Sequence, residues 1–503
     1  MKSYSQYQDE ITPEQLYEGL LVHGMFTEKL PPIFSMESFW KFVKENGQTF
    51  NGGNHDYVYF EAMRNNGIPR AYGIPVPMAY ERLCACLKDN WINIRNHFHN
   101  QTDNQIYKIS RIHLRKIKNS QKLFEMNYNK WWIDPDPTID LLLGKKYVVK
   151  SDISTCFPSI YTHSIPWALI GKDNAKADRR KSQWFNKIDK LCCATKSGET
   201  HGLLIGPHSS NLISEIILTV VDKKISESGF SFVRNIDDYE CFVETYERGQ
   251  EFLTCLNSEL REFDLPLNRK KTSILPLPNA IVEKWINRLT DAITLQIGGS
   301  IKRKQIKTFL DTVLLLMNEA EDAAVLKYAM KVLAGCKADF DDAAREYYVK
   351  IILHLAAIFP YTIQSLDEYV FEAFMVEKET IKDFVDKIFM DSVQLQNFEA
   401  IYYAIFFSLK YDFVIDGVDV DSAIKSNDCL YKLFVFLYFK RNNNSEALKL
   451  LKNNAIDLKK RSTGNMDRYW IFCYEALSEG QLNDEWKLLK QEKVSFLRPE
   501  YRC

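Results

Sequence analysis

The chain lacks long hydrophobic runs, cysteines at zinc-ligand spacing and any sizeable net charge. Its longest apolar stretches, such as Ile401–Leu409, fall well short of the ~20 residues a membrane helix needs. The N-terminal MKSYSQYQDEITPE is polar and acidic, so it does not read as a secretory signal. Eleven cysteines include Cys84 and Cys86 as CxC and the adjacent Cys192–Cys193, but neither pair has a second Cys or His pair at finger spacing. Reduced, mostly buried thiols in a reducing cytoplasm are the expectation. A formal charge of -1 is unlike the clearly basic balance of proteins that grip a long nucleic-acid duplex. Proline is scarce late in the chain: only Pro360 and Pro499 follow Pro278.

What is present divides the 503 residues into two textures. That length calls for two or more domains. Residues 1–300 hold sixteen of the twenty glycines. They carry short β-like runs at Lys146–Lys150, Ser231–Asn235 and Tyr239–Glu244, alternating with helical stretches, which predicts an α+β domain. Beyond it, apolar residues recur at helical spacing over Lys304–Glu319, Ala323–Lys337, Asp342–Phe359, Ile381–Phe389, Phe398–Leu409 and Asp428–Phe439. An all-α part over 279–503, built like helical repeats but without a strict period, is expected to follow an α+β part over 1–278. Between Tyr107 and Lys130 the chain sets Lys108, Arg111, Arg115, Lys116, Lys118, Lys122 and Lys130 against Glu125 alone. This is either a solvated helix face or a phosphate-binding surface.

The chemistry gathers at carboxylates. Asp237–Asp238 lies between apolar runs in FVRNIDDYECF, so Asn235–Asp238 reads as a hairpin tip. Most such pairs are solvated turns. A second run, Tyr147–Ile153, is apolar and extended and ends in Asp152. Delivered beside the hairpin, Asp152 completes three clustered acids that repel one another unless cations neutralise them. Two hard cations held there can activate a hydroxyl nucleophile and stabilise a leaving pyrophosphate.

In this order the segments resemble the motifs of the reverse-transcriptase family over roughly residues 60–275. SDISTCFPSIY is similar to its motif A, with Asp152 as metal ligand, Ile153 beside it in the metal shell and Phe157 at the steric-gate position that disfavours a ribose 2′-hydroxyl. GLLIGPHSSNLISEIILTVVDKKI resembles motif B: Gly202, Gly206, Ser210 and Asp222 match, while Leu204–Ile205 replace the usual Pro-Gln. Asn235–Asp238 resembles the aromatic-x-Asp-Asp box, with Asn for the aromatic, and Lys271–Thr272 resembles motif D, whose lysine assists the leaving pyrophosphate. IPRAYGIPVPMAYERL resembles the fingers segment, which implies triphosphate contacts from Arg70, Lys108 and Arg111. The resemblance implies a right-hand fold of fingers and palm and a nucleotidyltransferase using Mg2+ or Mn2+.

The large helical part and the altered motifs B and C resemble the abortive-infection polymerases of bacteria, the AbiK and AbiA kind, as a smaller prophage-encoded member. That resemblance implies a bacterial cytoplasmic phage-defence enzyme that forms homo-oligomers. It implies untemplated synthesis from deoxynucleoside triphosphates, primed on a protein hydroxyl, leaving single-stranded DNA attached to the protein. Among 26 tyrosines, Tyr4 and Tyr7 stand out as candidates in a mobile polar segment. The alternatives are a conventional templated RNA-directed DNA polymerase and a catalytically dead interaction scaffold.

Overall fold

The structure, a computed structural model, describes residues 2–47, 50–65, 67–117, 120–124, 136–277, 289, 300–320, 324–461 and 463–502. The expected boundary at 278/279 lies among residues outside that set, as do Lys118, Glu125 and Lys130 of the basic stretch.

The chain opens with helix α1 (Tyr4–Asp9), followed by a hairpin of β1 (Tyr57–Met63) and β2 (Pro69–Pro75) and by α2 (Trp91–Thr102). Next come β3 (Tyr147–Asp152), the single turn α3 (Cys156–Ser159) and the long α4 (His208–Glu227). Strands β4 (Phe232–Asn235) and β5 (Asp238–Val243), helix α5 (Tyr246–Arg261) and β6 (Ser273–Pro276) complete an antiparallel sheet of order β4-β5-β3-β6. Alternation along the strands gives the sheet two apolar faces. Val149, Phe232 and Cys241 join the main core, while Val148, Val233 and Phe242 form a small cluster on the other face.

The C-terminal part is helical as its periodicity predicts, including α6 (Arg303–Ala320), α7 (Ala324–Gly335), α8 (Asp342–Ile358), α9 (Lys378–Leu395), α10 (Phe398–Tyr411) and α11 (Cys429–Arg441). Neighbours pack in sequence, α6 on α7, α9 on α10 and α10 on α11. It also packs on the first part: one continuous core runs from Tyr4 to Leu497. Near the chain's end Phe496 accepts from the Ser35 amide at 2.9 Å. The described cysteines are all free thiols and most are buried. None of the described helices is long and apolar enough to cross a membrane.

Two expectations need correction. Tyr4 and Tyr7 are not in a mobile segment: Ser3 and Gln6 close a capping box on α1, and both tyrosines are buried. Nor is the basic stretch a solvated helix face. Residues 109–111 instead run along the edge of β4, with reciprocal backbone hydrogen bonds between Arg111 and Arg234 and between Arg234 and Ile109, each 2.8 Å. Lys108, Arg111 and Arg115 are buried as a result.

Candidate active site

Strand β3 ends at Asp152, which lies opposite Asp238, the first residue of β5. Strands β4 and β5 are joined by a tight turn at Ile236 and Asp237, with Asn235 opposite Asp238, so the expected hairpin is present. The Ile153 amide donates to the Asp237 carbonyl at 3.1 Å and fixes the turn against the end of β3. Three carboxylates from two chain segments thus meet at one end of the sheet. The Ile153 side chain is buried and has no donor atom, so its carbonyl is all it could offer a cation.

The charges are crowded. Burial and then the Asp152 charge push the Asp237 carboxyl up. Burial, then Asp237 and Asp152, push Asp238 up to about 7, although its side chain is open to solvent on one side. Lys271 answers part of this charge. It is ion-paired with Asp152 Oδ2, while Asn268 Nδ2 donates to Oδ1 at 3.0 Å. Partial burial pulls the Lys271 ammonium down, but the bond to Asp152 and the charges of the three acids hold it above its ordinary value. All the side-chain donors to a cation would be carboxylate oxygens, which suit Mg2+ or Mn2+. The fit is one of charge and donor type. Among the described residues no three acid, His or Cys side chains are arranged as a ready cage, and Asp152 is already engaged by Lys271 and Asn268.

The glycine loop lies beside this end of the sheet. Leu203 donates to the Phe157 carbonyl and Gly202 to the Ile160 carbonyl, both at 2.8 Å, so the segment after Asp152 and the loop are laced together. Gly202 has φ +84°, and a Cβ there would sit 2.7 Å from the Pro158 carbonyl oxygen. Gly206, φ +127°, lets the loop turn toward β2, where Gly73 donates to Ile205 at 3.0 Å. Leu204 fills the space over Gly73. The Ser210 hydroxyl is spent on the Leu204 carbonyl at 2.7 Å, so it braces the loop. Phe157 is half-buried and packs on the core.

Arg70, exposed on β2, is near enough for its charge to lower Asp237. Lys108 and Arg111 are both buried. Lys108 Nζ lies 4.3 Å from the centre of the Tyr7 ring, and both cations help depress the buried His113, whose shift comes first from burial.

Sequence reasoning missed Asn268, Arg234 and Glu215, and named Asp222 only as a motif match. Arg234 is fully buried and binds Asp222 through Nε and Nη2 and Glu215 through Nη1, the last at 2.7 Å. A signal was available: Glu215 and Asp222 are seven residues apart on one helix, hence on one face, among the apolar residues Ile216–Leu218 and Val220–Val221. A charged residue within an apolar strand, two before the turn, was the other half of it.

Residues 97–307, spanning the sheet, its three acids and Lys271, match the family Reverse transcriptase (RNA-dependent DNA polymerase). Over those residues the chain is similar to a reverse-transcriptase domain. The match covers less than half of the chain, and no curated protein sequence matches it. Among solved structures, a telomerase from Candida albicans, determined with a TWJ fragment of telomeric RNA, is similar at TM-score 0.30 and 11% identity, covering 73% of this chain and 67% of that one. Apo telomerase from Candida tropicalis is similar at TM-score 0.32 and 10% identity, covering 87% and 72%. Likeness at that level adds nothing to the chemistry of the site.

Proposed function

We propose that the chain is a DNA polymerase that uses Asp152, Asp237 and Asp238 to hold two divalent cations. The observation that carries this is the pairing of Asp152 with Asp238 across β3 and β5, with Asp237 in the adjoining turn. Bound cations would supply Lewis acidity toward a hydroxyl nucleophile and the triphosphate. The chain's own part is to orient and to compensate charge. Phe157 borders the sugar position, and Gly206 shapes the loop. Arg70 adds positive charge on the β2 side, and Lys271 stands ready to move from Asp152 to the departing pyrophosphate.

The polymerase is further read as untemplated and protein-primed, acting in phage defence by abortive infection as a homo-oligomer. Three features support this. The Leu204–Ile205 pair packs the loop onto β2 where relatives place Pro-Gln. Asn235 stands in place of the aromatic of the Asp-Asp box. The near-zero charge suits an enzyme that holds no long duplex. Tyr4 and Tyr7 are poor primers in this conformation because both are buried.

The test is to incubate purified protein with labelled deoxynucleotides and magnesium, without template or primer, and to digest with protease before a denaturing gel. Products that shift on proteolysis and vanish in Asp237→Ala support untemplated, protein-primed synthesis at these carboxylates. A second reading, templated RNA-directed synthesis, is favoured by the RNA-dependent activity for which the matching family is named. Product that appears only on adding template and primer would establish it instead.

A further inference from the structure

We propose that Arg234, linked through Glu215 to Tyr4 of the N-terminal helix, is the positioning residue that holds the turn bearing Asp237 and Asp238 in its working shape.

The turn needs holding. Ile236, its first central residue, has φ +60°. That position in a tight hairpin suits Gly, Asn or Asp, and a β-branched side chain there is an outlier. Such strain persists only where the surroundings over-determine the backbone. Here the restraint is Arg234 Nη1, which donates to the Ile236 carbonyl at 2.7 Å. The same guanidinium is forked onto Asp222, with Nε at 3.0 and 2.9 Å and Nη2 at 2.7 Å, and onto Glu215. One planar group therefore ties α4 to the strained carbonyl, a task a lysine's single ammonium cannot perform at so many acceptors. Its backbone is locked as well, between β5 and residues 109–111.

Two carboxylates face one guanidinium, which leaves an excess of negative charge in a buried place. Tyr4 answers it by donating its hydroxyl to Glu215 Oε2 at 2.9 Å. A buried ionic cluster of this kind is weak as a source of stability, because apolar side chains of like volume serve as well. What apolar residues cannot do is grip a carbonyl in one orientation. Helix α1 is thus in hydrogen-bonded series with the turn: Tyr4, Glu215, Arg234, Ile236. Since displacements on the order of 1 Å at a reacting centre cost about a hundredfold, a slack turn would cost rate and cation affinity.

The catalytic readout rests on the polymerase reading, so the test adds a second readout that does not. Mn2+ affinity, with the metal alone, is measured by electron paramagnetic resonance on Tyr4→Phe, Glu215→Gln and Arg234→Lys. Nucleotide incorporation is followed in parallel. Tyr4→Phe removes one oxygen and is expected to fold, with Mn2+ affinity weakened about threefold or more and kcat down about tenfold at unchanged nucleotide KM. Arg234→Lys is expected to lose about a hundredfold in kcat. The decisive variant is Ile236→Gly in the Arg234→Lys background. Glycine removes the strain, so it should restore about tenfold of the kcat loss and tighten Mn2+ binding relative to Arg234→Lys alone, which a merely structural role for Arg234 would not do. Wild-type affinity and rate in Tyr4→Phe and Glu215→Gln, or no rescue by Ile236→Gly, would overturn the inference, as would a wild-type protein that binds no Mn2+. Weakened and rescued Mn2+ binding in a protein that incorporates no nucleotide would sustain the positioning role and reject the polymerase.

Discussion

Replacing Asp238 by Asn should disable the site and at the same time stabilise the metal-free protein. Asp238 goes from an ordinary value of 3.8 to about 7, through burial and the charges of Asp237 and Asp152. A carboxyl raised on folding keeps its proton in the folded state after the unfolded chain has lost it. Its contribution is therefore fully present below about pH 4 and falls away as the pH rises toward 7, leaving the repulsion uncompensated above that. A fully buried group shifted this far would cost about 4 kcal/mol, but Asp238 is open to solvent, so screening reduces the cost to about 1–2 kcal/mol. In a chain of this size that is a rise in Tm of about 1–3 °C for Asp238→Asn at about pH 8 without metal. The gain should shrink to nothing near pH 4. Magnesium should reverse the order, since a ligand at a hundred times its Kd adds about 2.7 kcal/mol to a protein that binds it and nothing to one that does not. Scanning fluorimetry at several pH values, with and without about 10 mM magnesium, reads both effects. The reasoning fails if Asp238→Asn lowers the metal-free Tm at about pH 8, or if magnesium raises variant and wild type alike.

Lys271→Met should free Asp152 and tighten Mn2+ binding measured by titration, yet slow nucleotide incorporation by about a hundredfold or more, since the proton donor proposed for the pyrophosphate is gone. Phe157→Ala should let ribonucleotides compete; incorporation ratios that stay at the wild-type value would show that the ring only packs the core. Gly202→Ala must accept φ +84° and a contact at 2.7 Å with Pro158, so its urea midpoint should fall by the equivalent of about 2 kcal/mol or more.

Much of the site was readable because its motifs are local. An apolar run ending in Asp152, and a pair of acids between β-like runs, needed only the two-residue period of a strand and a turn at Asn235–Asp238. The extended runs began and ended within a residue or two of β3, β4 and β5. The recurrence of apolar residues after residue 300 likewise located α6 to α11, because it is local, although α10 and α11 are buried nearly all round rather than along one stripe. The basic residues Lys108, Arg111 and Arg115 stayed between two readings, a solvated helix face and a phosphate-binding surface, for the converse reason. Nothing local distinguishes a solvated cation from one buried by strand-like pairing with residues more than a hundred positions away, as Arg111 is with Arg234.

By itself, then, the sequence determined an α+β part carrying three acids and a lysine in family order, followed by an all-helical part. Period and turn chemistry act over a few residues and are written in neighbouring side chains. Only the tertiary structure decided what surrounds those acids. It buried Tyr4 against Glu215, drew Asp222 and Arg234 together behind the turn, and set Lys271 on Asp152. Those contacts join groups far apart in the chain, and their energy exists only once the sheet and α4 have closed around them and excluded water.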